Sequence, residues 1–186
     1  YASAYKLRRG EVFTTPEFIF TLSQNGAGQA SRNLHSWARK YQLKDGTGTR
    51  LTLLNNWENT GFRFDQDKLA GLMKEAGHLG VDMFLLDDGW FGNKYPRDRA
   101  IHLPNRDVYY YRNQLVLDLS NPEVQDYVFG VVDRLLTENP GIAYFKWDCN
   151  SPITNIYSPY LKQNQGRMYI DHVRGVYNVM RRVTEK

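Results

Sequence analysis

Leu115-Val-Leu-Asp-Leu-Ser-Asn-Pro122, followed after one helix length by Pro140-Gly-Ile-Ala-Tyr-Phe-Lys-Trp147, is the stretch whose reading decides the fold. Residues 115–119 form an apolar run suited to a strand. Ser120 or Asn121 can cap a helix, and Pro122 fits its first position, where a missing N–H costs nothing. The helix expected from there runs to Thr137, Asn139-Pro140-Gly141 stops it, and residues 142–147 read as the next strand. A helix that leaves one strand and feeds another makes a βαβ unit, with parallel strands and a right-handed crossover.

The same unit is legible upstream. Residues 51–55 read as a strand, and Asp65 or Asp67 can cap a helix in which Leu69, Leu72, Met73, Ala76 and Leu79 recur at helical spacing. Gly80 ends that helix, and residues 81–86 read as a strand. Strands this continuously apolar fit a parallel sheet covered on both faces. Residues 29–41 carry helical spacing at Leu34, Trp37, Ala38 and Tyr41, and residues 44–48 are turn-rich. Residues 11–22 read as a strand broken at Thr14-Thr15-Pro16, where proline argues for an edge.

The expected fold class is therefore α/β. Residues 50–186 should form a partial (β/α)8 TIM-type barrel. Residues 25–49 would be a linker helix and turn, and residues 1–24 the end of an N-terminal β-sandwich domain. A complete barrel takes about 250 residues, whereas this chain has 186.

Active sites of such sheets form at the carboxyl ends of the strands. Tyr144-Phe-Lys-Trp-Asp-Cys-Asn150 ends in polar groups where an apolar core would otherwise continue. In a strand, Lys146, Asp148 and Asn150 share one face, while Trp147 and Cys149 take the other. Leu85-Leu-Asp-Asp-Gly-Trp-Phe-Gly92 and Leu54-Asn-Asn-Trp-Glu58 repeat the pattern, and Tyr111-Arg112-Asn113-Gln114 opens a further strand. A surface ion pair is the plain reading of Lys146 with Asp148 taken alone. Four polar clusters favour one convergent site.

Composition narrows the classes. The formal charge of +4 and pI near 9.1 come from basic residues that are spread out. Small groups stand at Lys6-Leu7-Arg8-Arg9 and over residues 174–186, without the interleaved stacking aromatics of a nucleic-acid face. The aromatic share, 14% with 13 Tyr and 4 Trp, suits pockets that stack on sugar rings and equally a Tyr-rich exterior. Cys149 is the sole cysteine, so no internal disulfide forms, and it reads as a small packing residue. With His35, His78, His102 and His172 scattered, no zinc spacing is present. The first residues lack the basic-then-apolar pattern of a leader, and no apolar run reaches membrane-spanning length.

The motifs resemble those of the α-galactosidases of glycoside hydrolase family 36. The matching stretches are Asn55-Asn-Trp-Glu58, Leu86-Asp-Asp-Gly-Trp-Phe-Gly92, Arg112-Asn-Gln-Leu-Val-Leu-Asp-Leu-Ser120 and Lys146-Trp-Asp-Cys-Asn150. Pro16-Glu17 and Gln165-Gly-Arg-Met-Tyr-Ile-Asp-His172 fit the same pattern. The resemblance implies retaining hydrolysis of terminal non-reducing α-D-galactosyl residues of oligosaccharides of the raffinose or melibiose kind.

By position in the Lys-Trp-Asp-x-Asn motif, Asp148 would be the nucleophile. Retention uses two carboxyl groups about 5–5.5 Å apart, and a neighbouring cation such as Lys146 favours the ionised form that attacks. Lys146 would bind ring hydroxyls, Asn150 the hydroxyl next to the anomeric carbon, and Arg112 would add a donor. Asp87 and Asp88 would accept from the axial 4-OH and the 6-OH, and Trp57 would be an apolar wall. No metal and no cofactor is implied. The implied partner is an α-galactoside, with homo-oligomers one form of assembly and neither nucleic acid nor membrane involved.

Two departures matter. Between Arg97-Asp98-Arg99-Ala100 and Ile101-His102-Leu103-Pro104 the family carries a further helix and strand, so an internal gap near residues 100–101 is expected. The family's general acid/base segment lies beyond the point matched by Lys186. No residue matches the acid/base, and the 186 residues alone are expected to be inactive. Two other readings stand beside this one: a non-catalytic galactose-binding piece, and a magnesium-dependent barrel enzyme using Asp87, Asp88, Asp148 and Glu58, which leaves Lys146 without a role.

Overall fold

The computed structural model describes residues 5–90, 100–112, 114–148, 151–153 and 156–186. The chain divides into two compact units, Thr14–Gly92 and Tyr1–Phe13 with Asn93–Lys186.

In the unit Thr14–Gly92, helix α1 (Gly26–Tyr41) is followed by strand β1 (Leu53–Asn55), the single turn α2 (Trp57–Thr60), helix α3 (Gln66–His78) and strand β2 (Met83–Leu85). The expected βαβ unit is present. β1 and β2 pair in parallel, with Leu53 opposite Met83, Leu54 opposite Phe84 and Asn55 opposite Leu85. The α3 cap is Asp65, whose carboxylate accepts from the Lys68 amide at 2.9 Å, satisfying a donor that the helix leaves open. Below the sheet, the Asp82 carboxylate accepts from the amide and the hydroxyl of Thr52, both at 2.8 Å. These bonds, the amide's first, hold the Asp82 carboxyl below its ordinary range.

In the unit Tyr1–Phe13 with Asn93–Lys186, helix α4 (Pro122–Glu138) starts as expected. Asn121 caps it by accepting from the Glu123 amide at 3.0 Å, and Pro122 takes the first position. A 3-10 helix (Lys162–Arg167) leads into helix α5 (Met168–Glu185). α5 packs on α4 through Leu119, Val124 and Val179, with Leu117, Val128, Phe129, Trp147 and Val176 around them. Ile101, Leu161 and Met168, with Val116 and Ile156, form a second apolar cluster.

Three expected strands are corrected. Residues 115–119, 142–147 and 11–22 form no ladder among the described residues. A strand exists only through its neighbours, and the described residues supply none to these segments beyond isolated bridges. Residues 115–119 make one antiparallel bridge, Leu117 to Ala100, and then turn as the Leu119 amide donates back to the Leu117 carbonyl at 3.1 Å. In residues 11–22, Val12 and Phe18, of one parity, are each 86% exposed, so the face they share finds no packing surface. What stands is an α/β chain of five α-helices, one 3-10 helix and a two-stranded parallel sheet among the described residues.

Candidate functional site

The carboxyl end of the sheet is built by side-chain amides. Asn55 ends β1 and Asn56 follows it, beside the point where the chain leaves β2 for Asp87. The Asn55 amide nitrogen donates to Asp87 Oδ2 at 2.6 Å, and its oxygen accepts from the Trp57 backbone at 2.8 Å. Asn56, 1% exposed, accepts from the Asp87 backbone amide at 2.7 Å and donates to the Thr60 hydroxyl at 2.8 Å. Asp87 Oδ1 accepts from the Asp88 amide at 2.8 Å. Each carboxylate oxygen of Asp87 is therefore held from within the protein. An ionised carboxylate offers about four lone-pair sites, so bracing and ligand contact are compatible in one residue.

Gly89 follows with φ of +95°, and a Cβ there would lie 2.7 Å from Phe62 Cδ1. The turn requires glycine on both counts. The Phe62 ring in turn meets Trp57 edge to face, with centroids 5.0 Å apart. Trp57, Asp87 and Asp88 are half-buried, and Trp90 is exposed. The sequence alone assigns no role to Asn55, Asn56 or Phe62. Only the parallel register aims the amides: Asn55 sits opposite Leu85, two residues before Asp87.

In the other unit, Lys146 Nζ lies 3.5 Å from Asp148 Oδ2, with the two side chains 39% and 38% exposed. Trp147 between them packs into the cluster of Leu119, Val124 and Val179. The expected alternation holds here without a ladder: apolar ring inward, cation and carboxylate outward. Arg112 does not open a strand. It occupies a tight turn closed by reciprocal backbone bonds between Tyr111 and Gln114, at 3.1 and 2.9 Å. Its φ is +50°, and its guanidinium lies 5.5 Å from the Tyr111 ring centre. Asn150 and Cys149 lie outside the described residues, as do Phe91 and Gly92.

No three His, Cys, Asp or Glu side chains gather as a metal site requires among the described residues. No described helix is long and apolar enough to cross a membrane. His172 is half-buried on α5, and its Nδ1, itself buried, has no hydrogen-bond partner. Burial lowers its pKa below the ordinary value, against the pull of Asp118.

A family model described as Melibiase matches residues 12–100 and 93–186. The chain is 30% identical to the α-galactosidase Mel36A of Lactobacillus acidophilus, over an alignment of 241 residues that takes in 100% of this chain and 33% of that protein. It is also 30% identical to the α-galactosidase AgaA of Geobacillus stearothermophilus, covering 97% of this chain and 32% of the relative. Among solved structures, the α-galactosidase of Lactobacillus brevis superposes with a TM-score of 0.73 at 27% identity, over 84% of this chain and 28% of that one. The family 36 α-galactosidase AgaA in complex with raffinose superposes with a TM-score of 0.74 at 26% identity, over 84% of this chain and 29% of that one. The chain thus spans about a third of the length of the curated relatives it matches.

Proposed function

We propose, from the premise that this chain belongs to the Melibiase family, that it is the part of a retaining α-galactosidase that carries the nucleophile and most of the galactose-binding groups. The observation that carries the reading is the Lys146–Asp148 pair at 3.5 Å, turned outward on either side of the half-buried Trp147. In this reading, an Asp148 oxygen attacks the anomeric carbon as the glycosidic oxygen departs with a proton from a general acid. Water then hydrolyses the glycosyl-enzyme and releases galactose with its configuration retained. Lys146 favours the ionised carboxylate and donates to ring hydroxyls. Asp87 and Asp88 accept from the 4-OH and 6-OH with charge-assisted bonds, Trp57 forms a wall, and Arg112 and Asn150 add polar contacts.

Substrates in this reading are oligosaccharides ending in α-galactose, supported by the family 36 relative AgaA, crystallised as one variant with raffinose and as another with stachyose. The barrel architecture, with an internal gap near residues 100–101, belongs to the same reading. Its support is a family match in two stretches that meet at residues 93–100, together with an alignment of 241 residues in which this chain supplies only its 186.

Asp148→Asn in the complete protein is the test. Turnover of an activated aryl α-galactoside should fall by on the order of 10³-fold or more with the fold intact. Near-normal turnover would remove Asp148 from the nucleophile role. Asp87→Ala should weaken galactose inhibition and leave activity insensitive to chelators; activity lost to a chelator would instead favour the magnesium reading.

A further inference from the structure

Among the described residues Asp118 is the one carboxylate that is buried, at 1% exposure, and the chemistry above does not use it. Its Oδ1 accepts from the Ser120 hydroxyl at 2.5 Å and the Ser120 amide at 3.1 Å. Its Oδ2 accepts from the Ser158 hydroxyl at 2.5 Å. The two hydroxyls lie 3.0 Å apart. Ser158 Oγ also accepts from the Leu161 amide at 3.0 Å. Gln165 clasps the same residue, accepting from the Ser158 amide at 2.9 Å and donating to its carbonyl at 2.7 Å. A buried charge is costly unless its lone pairs are filled, and here three donors converge on one carboxylate.

The placement of this network is what gives it meaning. Leu117 and Leu119, on either side of Asp118, belong to the cluster on which Trp147 packs. Ser158 stands on the connection that follows Asp148, and through the Leu161 amide it is tied to the second cluster, where Val116 also packs. One carboxylate therefore braces both the segment under Trp147 and Ser158, which lies further along the chain from Asp148.

We propose that Asp118 is a positioning residue for the Lys146–Asp148 pair, holding it in the attacking position through Ser120, Ser158 and the Trp147 floor. The proposal rests on Asp148 being the nucleophile. Attack is sensitive to geometry: a displacement of about 1 Å can cost about 10²-fold in rate, while binding of a sugar through several separate groups tolerates it better. Loss of the network should thus appear in kcat before it appears in galactose affinity.

The experiment compares Asp118→Asn and Ser158→Ala with the parent in the complete protein. It follows kcat and KM on an aryl α-galactoside, inhibition by galactose, and the thermal midpoint. Asp118→Asn sets an NH2 against a hydroxyl donor, whereas Ser158→Ala removes a single donor. The expected result is a kcat lowered by about 10- to 100-fold in Asp118→Asn and less in Ser158→Ala, with galactose inhibition changed by less than about threefold. A kcat within about twofold of the parent in both folded variants overturns the proposal. So does a parallel fall of kcat, galactose affinity and midpoint, the mark of a purely structural network. Should Asp118→Asn fail to fold, Ser158→Ala decides by the same criteria. Asp148→Asn run beside them separates the premise: turnover retained there removes the nucleophile reading and this proposal with it, whereas its loss alongside an unchanged kcat in the network variants overturns the positioning role alone.

Discussion

Asn56 is buried at 1% exposure and joins two elements with one side chain, accepting from the Asp87 amide and donating to Thr60. Asn56→Ala would leave the Asp87 N–H and the Thr60 hydroxyl without these bonds in a site water reaches poorly. Orphaning a buried donor costs about 1–3 kcal/mol, so the urea midpoint should fall by that order, and galactose inhibition should weaken as Asp87 loses its register. An unchanged midpoint would mean that water replaces the amide. His172 makes a second residue-scale case. Burial keeps its folded pKa below 6.5, the ordinary value, so the unfolded chain binds the proton more readily. The resulting stability is complete above 6.5 and is lost as pH falls below it toward the folded value. His172→Gln should flatten the pH dependence of the thermal midpoint in that window; an unaltered slope would assign it to other groups. Neither residue could be weighted from sequence. The Asn55-Asn56 pair was visible as part of a motif, but its bracing role depends on the β1/β2 register, and a histidine inside a helical pattern shows its face only once the helix has packed.

Helices α1, α3 and α4 were legible element by element, because their signals are local. Asp65, Asn121 and Pro122 mark starts, and Gly80, with φ of +79°, marks a stop. Strands at 115–119 and 142–147 were not, since an apolar run records burial and not the ladder that makes a strand. α5 carries a constraint that only packing reveals. A Cβ on Gly175 would stand 1.8 Å from the Leu119 carbonyl oxygen, so the helix approaches the chain there as closely as glycine permits. Gly→Ala within a helix ordinarily gains up to about 1 kcal/mol from propensity. Against backbone that cannot rotate aside, overpacking costs about 1–3 kcal/mol, and it should prevail. Gly175→Ala is expected to lower the thermal midpoint and loosen α5 from Leu119, next to Asp118; a raised midpoint would show that propensity decides.

Over the whole molecule, apolar burial is uneven. Among the described residues, the unit Thr14–Gly92 buries only Asn56, Thr60 and Ala76, and α1 buries none. Its apolar side chains stay outside, with Phe18 86% and Leu22 and Leu79 each 83% exposed. The other unit buries Ala100, Ile101, Leu119, Val124, Val132, Leu161, Met168 and Val179. Ordering the backbone costs about 1–2 kcal/mol per residue, and apolar burial returns about 25 cal/mol per Å². The unit Thr14–Gly92 offsets little of that cost on its own, whereas the unit holding α4 and α5 offsets more. In the 186-residue chain alone, amide exchange should therefore be slower in α4 and α5 than in α1 and α3 by more than about tenfold, the equivalent of 1.4 kcal/mol of opening free energy. An apolar dye should bind the exposed surface. In a polypeptide as long as the relatives, α1 and α3 should gain protection as further chain covers them. Equal protection of α1 and α5 in the 186-residue chain would mean that the helix holds without such cover. The covering of these faces, and with it the completeness of the site, would then have to be sought within the chain itself.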